Sequence, residues 1–451
     1  MDVLTDTQLK HQHGDIYIGL DLGTSGCRAI AIDEHEQVLA EIALPFPQPA
    51  ELRPSRQQDP WQWWDCAKQA LLLLGDYIDT NRICAIAVDG TSSTLMVTDR
   101  ECQPFDAALM YHDARSVAEA AQIATIAPAN SGAHGATSSL AKLLYLQQQH
   151  QHQPLYHAMH QSDWITSLLS GLCGISDENN CLKLGYDIVN RCWPDWLNEL
   201  AVNRRLLPKV VPPGTLLGPL LPEMAAELRM PSTTQIISGT TDGVAAFLAT
   251  GAHEVGDAVT SLGSTMVIKV LSDTPIFAPE YGVYSHRLGD HWLVGGASNC
   301  GGATLLKFFT RQQLEQMTPA LQPEQATGLN YYPLPDTGER FPISDTNKQA
   351  ELSPRPADDI IFFQAMLEGM ARVEADAYAL LAELGAPAIK TIYTVGGGAS
   401  NTAWRRIRQN HLQARFMEPR HLQAAYGTAL LARHQNQILQ TRHNAPHRHA
   451  T

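Results

Sequence analysis

Two aspartates beside turn or helix-start signals are the strongest candidates for chemistry in this sequence. Asp21 ends an apolar run and precedes Gly23-Thr24-Ser25-Gly26, whose amides and hydroxyls suit phosphate oxygens. Because a carboxylate alone would repel phosphate, Mg²⁺ is the natural mediator. Asp242 stands where a predicted strand meets a predicted helix, a place suited to a general base that deprotonates a hydroxyl. Ordinary capping of the turn and of the helix is the competing interpretation for both residues.

A glycine triplet supplies the third signal. Gly396-Gly397-Gly398 lies between a predicted strand and a helix that starts near Asn401, where the backbone can approach a phosphate or a flat ligand closely. A dinucleotide site competes, because Gly396 and Gly398 form G-x-G and Glu418 lies twenty residues beyond Gly398. Asn401 occupies the place of the third glycine, however, and the motif does not open a βαβ unit.

Weaker signals add polar groups to these three. Ser92 closes Asp89-Gly90-Thr91-Ser92, which follows the apolar run 83–88 at the end of a strand where α/β sheets bind ligands. A second glycine-rich bend, 295–302, ends at Gly302 and could line a nucleotide pocket. The segment 111–115 could bind hydroxyls, although a surface ion pair explains it equally well.

The elements around these residues repeat along the chain. Strands are predicted on both sides of the turn at 22–26 and again at 258–270, with Leu22-Gly23-Thr24-Ser25 aligned on Leu262-Gly263-Ser264-Thr265 at a distance of 240 residues. A third strand at 38–44, a helix capped by Asp59-Pro60 and a buried strand at 83–88 complete the first copy. The pattern predicts an α/β protein with two lobes and a cleft. Residues 148–217 are expected to be irregular insertions.

Composition excludes several classes of function. The chain has 451 residues, 44% of them hydrophobic and 17% charged, which favours a folded globular protein. The formal net charge of −14, without a basic run, excludes a nucleic-acid binder. No apolar run approaches 18 residues and the first 15 residues lack a signal core, so we expect a cytoplasmic protein without a membrane segment. The eight cysteines are predicted to be free thiols, mostly buried, in a reducing compartment.

Together the motifs resemble the FGGY family of carbohydrate kinases, from about Ile16 to about Ala432. The motifs that carry the resemblance, in order along the chain, are Gly19-Leu20-Asp21-Leu22-Gly23-Thr24-Ser25, Asp59-Pro60 with Trp63-Trp64, Asp113 with Arg115, Thr241-Asp242-Gly243, Ser261-Leu262-Gly263-Ser264-Thr265, Gly396-Gly397-Gly398-Ala399-Ser400-Asn401 and Ala424-Ala425-Tyr426-Gly427-Thr428-Ala429. The resemblance implies a two-lobed actin-like (ribonuclease H-like) ATPase superfold, α/β in class, with a duplicated core and an interlobe cleft. It also implies ATP and Mg²⁺ as cofactors, a small sugar as partner substrate, and no nucleic acid or membrane; it leaves the oligomeric state open.

Within the family, the chain looks like the D-ribulose kinases of cyanobacteria and chloroplasts. Five runs carry this likeness: Asp89-Gly90-Thr91-Ser92, 137–143, 182–186, 284–286 and 295–304. The first run differs from the Gln-centred motif of typical xylulose kinases and from the Arg-Glu pair of glycerol kinases. The resemblance therefore implies phosphorylation of D-ribulose to D-ribulose 5-phosphate. D-xylulose or another ketose or polyol is the alternative within the family, and a non-kinase actin-like ATPase is the alternative outside it.

The resemblance also implies a role for each matching residue. Asp242 would be the catalytic base, and Asp21 would hold Mg²⁺, directly or through a water, beside the substrate. The residues implied to bind substrate are Asp21, Thr24, Ser25, Gly26, Cys27, Ser92 and Asp242. Those implied to bind ATP are Thr24, Gly263, Ser264, Gly302, Gly397, Gly398 and Asn401.

Four segments are expected along the chain. Residues 15–246 would form a sugar-binding lobe, completed by a C-terminal helix at 424–437. Residues 247–423 would form the nucleotide-binding lobe. Residues 1–14 and the histidine-rich 438–451 are predicted to be disordered tails.

Overall fold

The computed structural model describes residues 14–47 and 56–443, with side chains up to residue 434. In chain order the strands are β1 (Ile16–Leu22), β2 (Gly26–Asp33), β3 (Val38–Pro45), β4 (Gln57–Gln58), β5 (Ile83–Gly90), β6 (Leu95–Thr98), β7 (Ala108–Leu109), β8 (His157–His160), β9 (Ile175–Asp177), β10 (Lys209–Val211), β11 (Leu216–Pro219), β12 (Gln235–Ile237), β13 (Asp257–Leu262), β14 (Met266–Ser272), β15 (Tyr284–Leu288), β16 (His291–Ser298), β17 (Thr391–Val395) and β18 (Arg415–Met417).

The helices follow the same order: α1 (Pro60–Gly75), α2 (Val117–Ile126), α3 (Ser139–Gln149), α4 (Gln161–Ser170), α5 (Glu178–Cys181), α6 (Pro222–Leu228), α7 (Asp242–Ala249), α8 (Gly302–Phe308), α9 (Arg311–Met317), α10 (Asp359–Glu383), α11 (Thr402–His411) and α12 (Ala424–His443). Single 3-10 turns occupy Thr80–Arg82, Leu182–Leu184, Asp195–Glu199, Arg204–Leu206, Pro279–Tyr281, Thr318–Ala320 and Gly397–Ser400.

The chain divides into two compact units. The first extends to Ala249 and resumes at Gln423, and the second is Thr250–Leu422. The first unit ends beyond the predicted residue 246 because helix α7 continues unbroken to Ala249. Helix α12 continues to His443, so residues 438–443, assigned from sequence to a disordered tail, are helical. Residues 1–13 and 444–451, which hold the rest of the predicted tails, lie outside the described residues.

The main sheet of the first unit has six strands in the order β11-β12-β5-β1-β2-β3. Strand β1 pairs antiparallel with β2, and β2 with β3, whereas β1, β5 and β12 are parallel neighbours. Seven of the eight residues of β5 are buried, as expected for a strand covered on both faces. The predicted hairpin, third strand and buried strand are confirmed.

Helices cover both faces of β1. Ile18 and its neighbours at alternate positions pack with Trp63 of α1, whose start is capped by Asp59 as predicted, with the Trp61 amide 3.0 Å from the Asp59 carboxylate. On the other face a Cβ at Gly19 would lie 1.9 Å from the Ala425 carbonyl oxygen of α12. Only glycine allows helix α12 to approach the strand this closely.

Residues 148–217 differ from the irregular insertion that the sequence predicts. Strand β8 joins the small sheet β4-β7-β6-β8, and β9 pairs with β10. Helix α4 is buried along nearly its whole length and contains Trp164, which is fully buried. The prediction is wrong because the buried positions here are largely polar and are satisfied by internal hydrogen bonds, so they show no apolar periodicity.

The second unit repeats the arrangement of the first. Its sheet has the order β15-β16-β14-β13-β17-β18, in which β13, β14 and β16 are antiparallel and β13, β17 and β18 are parallel. The hairpin β13–β14 therefore corresponds to β1–β2, and β17 corresponds to β5. The predicted duplication is confirmed. None of the helices in the described residues is long and apolar enough to cross a membrane.

The cysteines are not all free. Cys102 and Cys173 form a disulfide with their Cα atoms 6.2 Å apart, so the prediction of eight free thiols is wrong for these two. They are 71 residues apart in sequence, and only the packing of α4 under the small sheet brings them together. The remaining six are free, and four of them are buried: Cys27, Cys66, Cys181 and Cys300.

Candidate active site

Three aspartates meet at the carboxyl edge of the first unit's main sheet. Asp21 of β1 lies opposite Asp89 of the parallel strand β5 in the ladder. A bridge between Gly90 and Thr241 continues the β5–β12 pairing and brings Asp242, the first residue of α7, to the same edge. The parallel strands and the helix start therefore gather three carboxyl groups where α/β sheets bind ligands.

Burial and proximity alter the acidity of two of these groups. Burial raises the pKa of Asp21 to about 6, against a hydrogen bond from Asp89 that lowers it, and the charge of Asp242 raises it further. Burial, with the charge of Asp21, raises the pKa of Asp89 well above its usual range, although the Thr428 hydroxyl donates to its carboxyl. We infer that Asp89 keeps a proton at neutral pH and donates it in a hydrogen bond to ionised Asp21.

This cluster fits Mg²⁺. Mg²⁺ prefers hard oxygen donors, and a divalent cation would offset both the burial and the charge repulsion that raise the two pKa values. Apart from the proton shared with Asp21, the buried Oδ1 atom of Asp89 has no hydrogen-bond partner among the described residues. Asp21, the predicted Mg²⁺ ligand, thus lies beside two other carboxyl groups, and a bound cation would stabilise the ionised form of this cluster.

The shared proton predicts an unusual pH dependence of stability. Because folding raises both pKa values above 3.8, the folded state binds more protons than the unfolded state, and this contribution to stability falls as pH rises from about 4 through 6 and beyond. Asp89→Asn removes one titrating group and keeps an N–H donor for Asp21. We expect the variant to gain unfolding free energy relative to wild type as pH rises from 4 to 7, measured by urea denaturation without Mg²⁺. The control is Asp65→Asn, which alters an exposed aspartate of α1; its difference in unfolding free energy from wild type should not change with pH. If the difference for Asp89→Asn is also independent of pH, the shared proton is contradicted.

The turn after Asp21 is held in part by Gln58, which the sequence did not single out. The Gly23 amide donates to the Gly26 carbonyl at 3.0 Å, and the Gln58 side chain donates to the Thr24 carbonyl at 2.8 Å. Gln58 in turn accepts from the Trp63 indole at 2.7 Å, so helix α1 fixes the turn. Ser25 is exposed at its tip and Thr24 is half-buried, which leaves both hydroxyls accessible to a phosphate.

Cys27 is placed differently from its predicted role. Its side chain is 3% exposed and packs in the core below the sheet, where its thiol is hydrogen-bonded to Cys66. That contact, together with burial, raises the pKa of the Cys27 thiol well above its usual range. The alternation of side chains along β2 turns this residue inward, so only its backbone is left to meet a substrate.

Several buried polar atoms lack a hydrogen-bond partner on Ser92, three residues beyond Asp89, and on segments linked to its loop. Buried polar atoms in folded proteins nearly always have a hydrogen-bond partner, so a group without one marks a place for a polar ligand. These buried side-chain atoms without a partner among the described residues are Ser92 Oγ, Ser93 Oγ, both ring nitrogens of His112, Gln161 Nε2 and Asn180 Oδ1. Hydroxyl groups of a sugar could satisfy them.

Two buried residues position this polar group. Lys142 donates from Nζ to the Ser93 carbonyl at 2.7 Å and to the Met110 carbonyl at 2.8 Å, and burial lowers its pKa to about 7. Gln161 accepts at Oε1 from the amide and the hydroxyl of Thr91, at 3.1 and 2.8 Å. Lys142 thus joins the Ser92 and His112 loops, and α4 presents Gln161 to them. The sequence placed Lys142 in the run 137–143 without assigning it a role, and it gave no signal for Gln161, which belongs to no local motif.

The segment 111–115 contains both features considered from the sequence, an ion pair and a group that could bind hydroxyls. Arg115 pairs with the fully buried Asp113, with 2.7 Å between Nη2 and Oδ2. His112, in the same segment, has two buried ring nitrogens without a hydrogen-bond partner among the described residues. The ion pair therefore fixes the loop, and the histidine is the group left for a ligand.

The predicted phosphate turn of the second unit is tied to the start of α8. Gly302 donates its amide to the Gly263 carbonyl at 2.9 Å, and Ala303 donates to the Ser264 carbonyl at 3.1 Å. The amide of Gly302 is therefore already used inside the protein, and this residue braces the turn. Ser264 is exposed at the tip, as Ser25 is in the first unit.

The glycine triplet lies against that turn. Gly396 has φ +85°, and a Cβ there would meet the Leu262 carbonyl oxygen at 2.8 Å, while a Cβ at Gly398 would meet the Trp404 ring at 2.4 Å. Around Gly397 no atom lies within 4 Å of a Cβ position, which leaves that side of the backbone open. Such a surface fits a flat nucleotide base or a phosphate.

Asn401 has a structural role besides the predicted one. Its side-chain oxygen caps helix α11 by accepting from the Trp404 amide at 2.9 Å. Glu418, the acidic residue of the dinucleotide interpretation, is paired with Arg405. Both residues therefore contact helix α11: Asn401 caps its start, and Glu418 pairs with Arg405 on its side.

A buried ion pair supports both glycine segments. Arg408 lies 2.6 Å from Glu374, with both side chains 1% exposed, and donates to the Thr394 hydroxyl at 2.8 Å. Glu374 also accepts from the Thr260 hydroxyl at 2.5 Å. Thr260 and Thr394 are register partners just before the two turns, so this network fixes the strands that carry them.

Two family models match this chain along almost its whole length. The N-terminal domain of the FGGY family of carbohydrate kinases matches residues 16–249, and the C-terminal domain matches residues 258–435. The chain belongs to the FGGY family of carbohydrate kinases. Kinases of this family use ATP with Mg²⁺, as expected from the sequence.

Individual FGGY relatives differ in their named substrates. The chain is 25% identical to a xylulose kinase of Escherichia coli (strain K12), covering 87% of this chain and 84% of that protein. It is 23% identical to a xylulose kinase of Bacillus subtilis (strain 168), covering 92% and 87%. A gluconate kinase structure from Lactobacillus acidophilus superposes with a TM-score of 0.82 at 19% identity, over 94% and 90%. The predicted two-domain actin-like fold is confirmed.

Proposed function

We propose that this FGGY kinase transfers the γ-phosphate of ATP to the terminal hydroxyl of a ketopentose. The observation that carries the proposal is the gathering of Asp21, Asp89 and Asp242 at one sheet edge, beside buried polar atoms that lack partners. Carboxylates of this kind hold a divalent cation and accept a proton, while the unpartnered atoms complement hydroxyl groups.

In the proposed reaction Asp242 accepts the proton of the sugar hydroxyl. The freed oxygen forms a bond to the γ-phosphorus, the bond from that phosphorus to the bridging oxygen breaks, and ADP leaves. Bound Mg²⁺ would neutralise charge on the phosphates, and Asp21 would hold it. The exposed Ser25 and half-buried Thr24 would face the transferring group. The second unit would hold the nucleotide through its turn at Gly263-Ser264 and the open backbone at Gly397.

D-xylulose is the substrate best supported by the relatives. The two curated relatives described above are named xylulose kinases and align over most of their length with this chain. D-ribulose, the substrate implied by the sequence runs, remains the second candidate. Asp89 is the residue behind this candidate: it stands in the run that differs from typical xylulose kinases, and it is fully buried and bonded to Thr428 and Asp21. A carboxyl group in that position changes the set of donors and acceptors that a sugar meets.

A coupled ADP-release assay on the purified full-length protein tests this proposal. D-xylulose, D-ribulose, L-ribulose and glycerol are supplied at matched concentrations with Mg²⁺ and ATP. We expect a ketopentose to give the highest kcat/KM, and the ranking of the first two sugars decides between the candidates. Highest kcat/KM with glycerol, or ATP hydrolysis that no sugar stimulates, would overturn the proposal; the second result would favour a non-kinase ATPase.

A further inference from the structure

Three metal-ligating side chains converge at one end of the small sheet. Cys102 lies in the turn after β6, His157 is the first residue of β8, and Cys173 lies in the loop after α4. Their ligand atoms, the two sulfurs and an imidazole nitrogen, lie within 4.8 Å of one another. His157 pairs with Thr98, the last residue of β6, so the cluster is at the end of this strand that points away from Ser92. The FGGY reaction uses none of these residues.

The backbone holds each of the two sulfurs in place. Cys102 is 2% exposed, donates its amide to the Asp99 carbonyl at 3.3 Å and accepts at its own carbonyl from the Trp164 indole at 2.9 Å. Cys173 lies between Gly171 and Gly174, both in the left-handed region with φ +73° and +69°. The two Cα atoms are 6.2 Å apart, near enough for both side chains to reach one ion.

The imidazole is also oriented. A Cβ at Gly174 would lie 2.7 Å from Nδ1 of His157, so glycine at this position makes room for the ring. A hydrogen bond to the backbone of Arg100 also fixes the ring. A ring fixed by a backbone hydrogen bond is typical of metal-ligating histidines.

We propose that Cys102, Cys173 and His157 form a Zn²⁺ site when the two cysteines are reduced. Two thiolates and an imidazole are typical zinc ligands, and they leave a fourth tetrahedral position for water or another ligand. Zn–S distances of about 2.3 Å imply sulfurs roughly 3.8 Å apart, so the two side chains must rotate away from their bonded positions after reduction, which a Cα separation of 6.2 Å allows. The carboxylates at Asp21 are hard donors suited to Mg²⁺, so the two sites differ in the metals they select.

The disulfide and the bound metal exclude each other, because both use the sulfurs of Cys102 and Cys173. Reduction by a small thiol converts the Cys102–Cys173 disulfide and two RSH molecules into two cysteine thiols and one RSSR, so two electrons and two protons reach the protein. Zn²⁺ then displaces one proton from each thiol. Oxidation reverses the process and removes both sulfur ligands from the ion.

Cobalt absorption tests the site on the full-length protein. The protein is reduced with dithiothreitol, freed of reductant and metals under argon, and titrated with Co²⁺. We expect one equivalent to produce a thiolate-to-cobalt charge-transfer band that Zn²⁺ abolishes, while the oxidised protein shows no band. Carboxylates and histidines elsewhere in the chain cannot produce this band, because it requires a sulfur ligand.

Single substitutions assign the ligands. Cys173→Ser should abolish the band, and Cys192→Ser, which alters an exposed free cysteine, should retain it. His157→Gln should keep both thiols but weaken Zn²⁺ binding at least about 10-fold in competition with a chromophoric chelator. His157→Gln also tests the site if Cys173→Ser does not fold. No band in reduced wild type, unchanged affinity in His157→Gln, or a band that survives Cys173→Ser but not Cys66→Ser would overturn the proposal.

Discussion

Asp242→Asn is expected to lower kcat for the preferred ketopentose by about 10²–10⁴-fold, the usual contribution of a general base. Asparagine has nearly the same size and retains an oxygen at Oδ1, which accepts from the Gly243 amide at 2.5 Å. The start of helix α7 should therefore survive. The amide cannot accept the hydroxyl proton, so the loss should fall on the chemical step and leave the binding of ATP nearly unchanged.

Three measurements separate this loss from damage to the fold. The kcat comes from coupled ADP release at saturating sugar and Mg-ATP, ATP affinity from calorimetry, and Tm from thermal unfolding. Asp65→Asn makes the same chemical change at an exposed position of α1 and should keep wild-type kcat. A kcat for Asp242→Asn within about threefold of wild type, at an unchanged Tm, would remove Asp242 from the role of base.

Local signals account for the parts of the fold that were predicted correctly. Asp59-Pro60 caps α1 through contacts within three residues, and the continuously apolar run 83–88 is sufficient to define a strand buried on both faces. The turns at 22–26 and 262–265 could be aligned because each carries its own glycine and hydroxyl residues. These features depend on neighbours in sequence, so the sequence alone determines them.

The residues whose roles the sequence did not reveal acquire those roles through contacts between distant segments. Lys142 and Gln161 join the site only because α3 and α4 pack against the loops after β5, 49 and 70 residues away from their partners Ser93 and Thr91. The sequence places Asp89 at the end of a strand, but its shared proton depends on the β1–β5 register. For Cys27 the motif position suggests a ligand contact, and strand alternation, which directs the thiol into the core, leaves only its backbone for that contact.

The role of Asp21 can be isolated from that of Asp242 by its dependence on metal and pH. Asp21→Asn removes the charge that would hold Mg²⁺, and losing one electrostatic contact of this kind costs about 10²–10³-fold in kcat. We also expect the half-saturating Mg²⁺ concentration to rise at least about 10-fold. Asp242→Asn, which leaves Asp21 and its Asp89 hydrogen bond in place, should show a nearly normal Mg²⁺ titration.

Burial is the main cause that raises the pKa of Asp21 to about 6. The pH dependence of activity is therefore the most specific test of its role. Wild-type kcat/KM should fall as pH drops through 6, because the protonated carboxyl no longer attracts the cation. More Mg²⁺ should move this fall to lower pH, since a bound cation favours the ionised form. In Asp21→Asn the residual activity should lack both the fall and its shift with Mg²⁺. If the Mg²⁺ titration and the acid side of the pH profile match wild type, another group holds the metal, and Asp89 is the nearest carboxyl able to replace it.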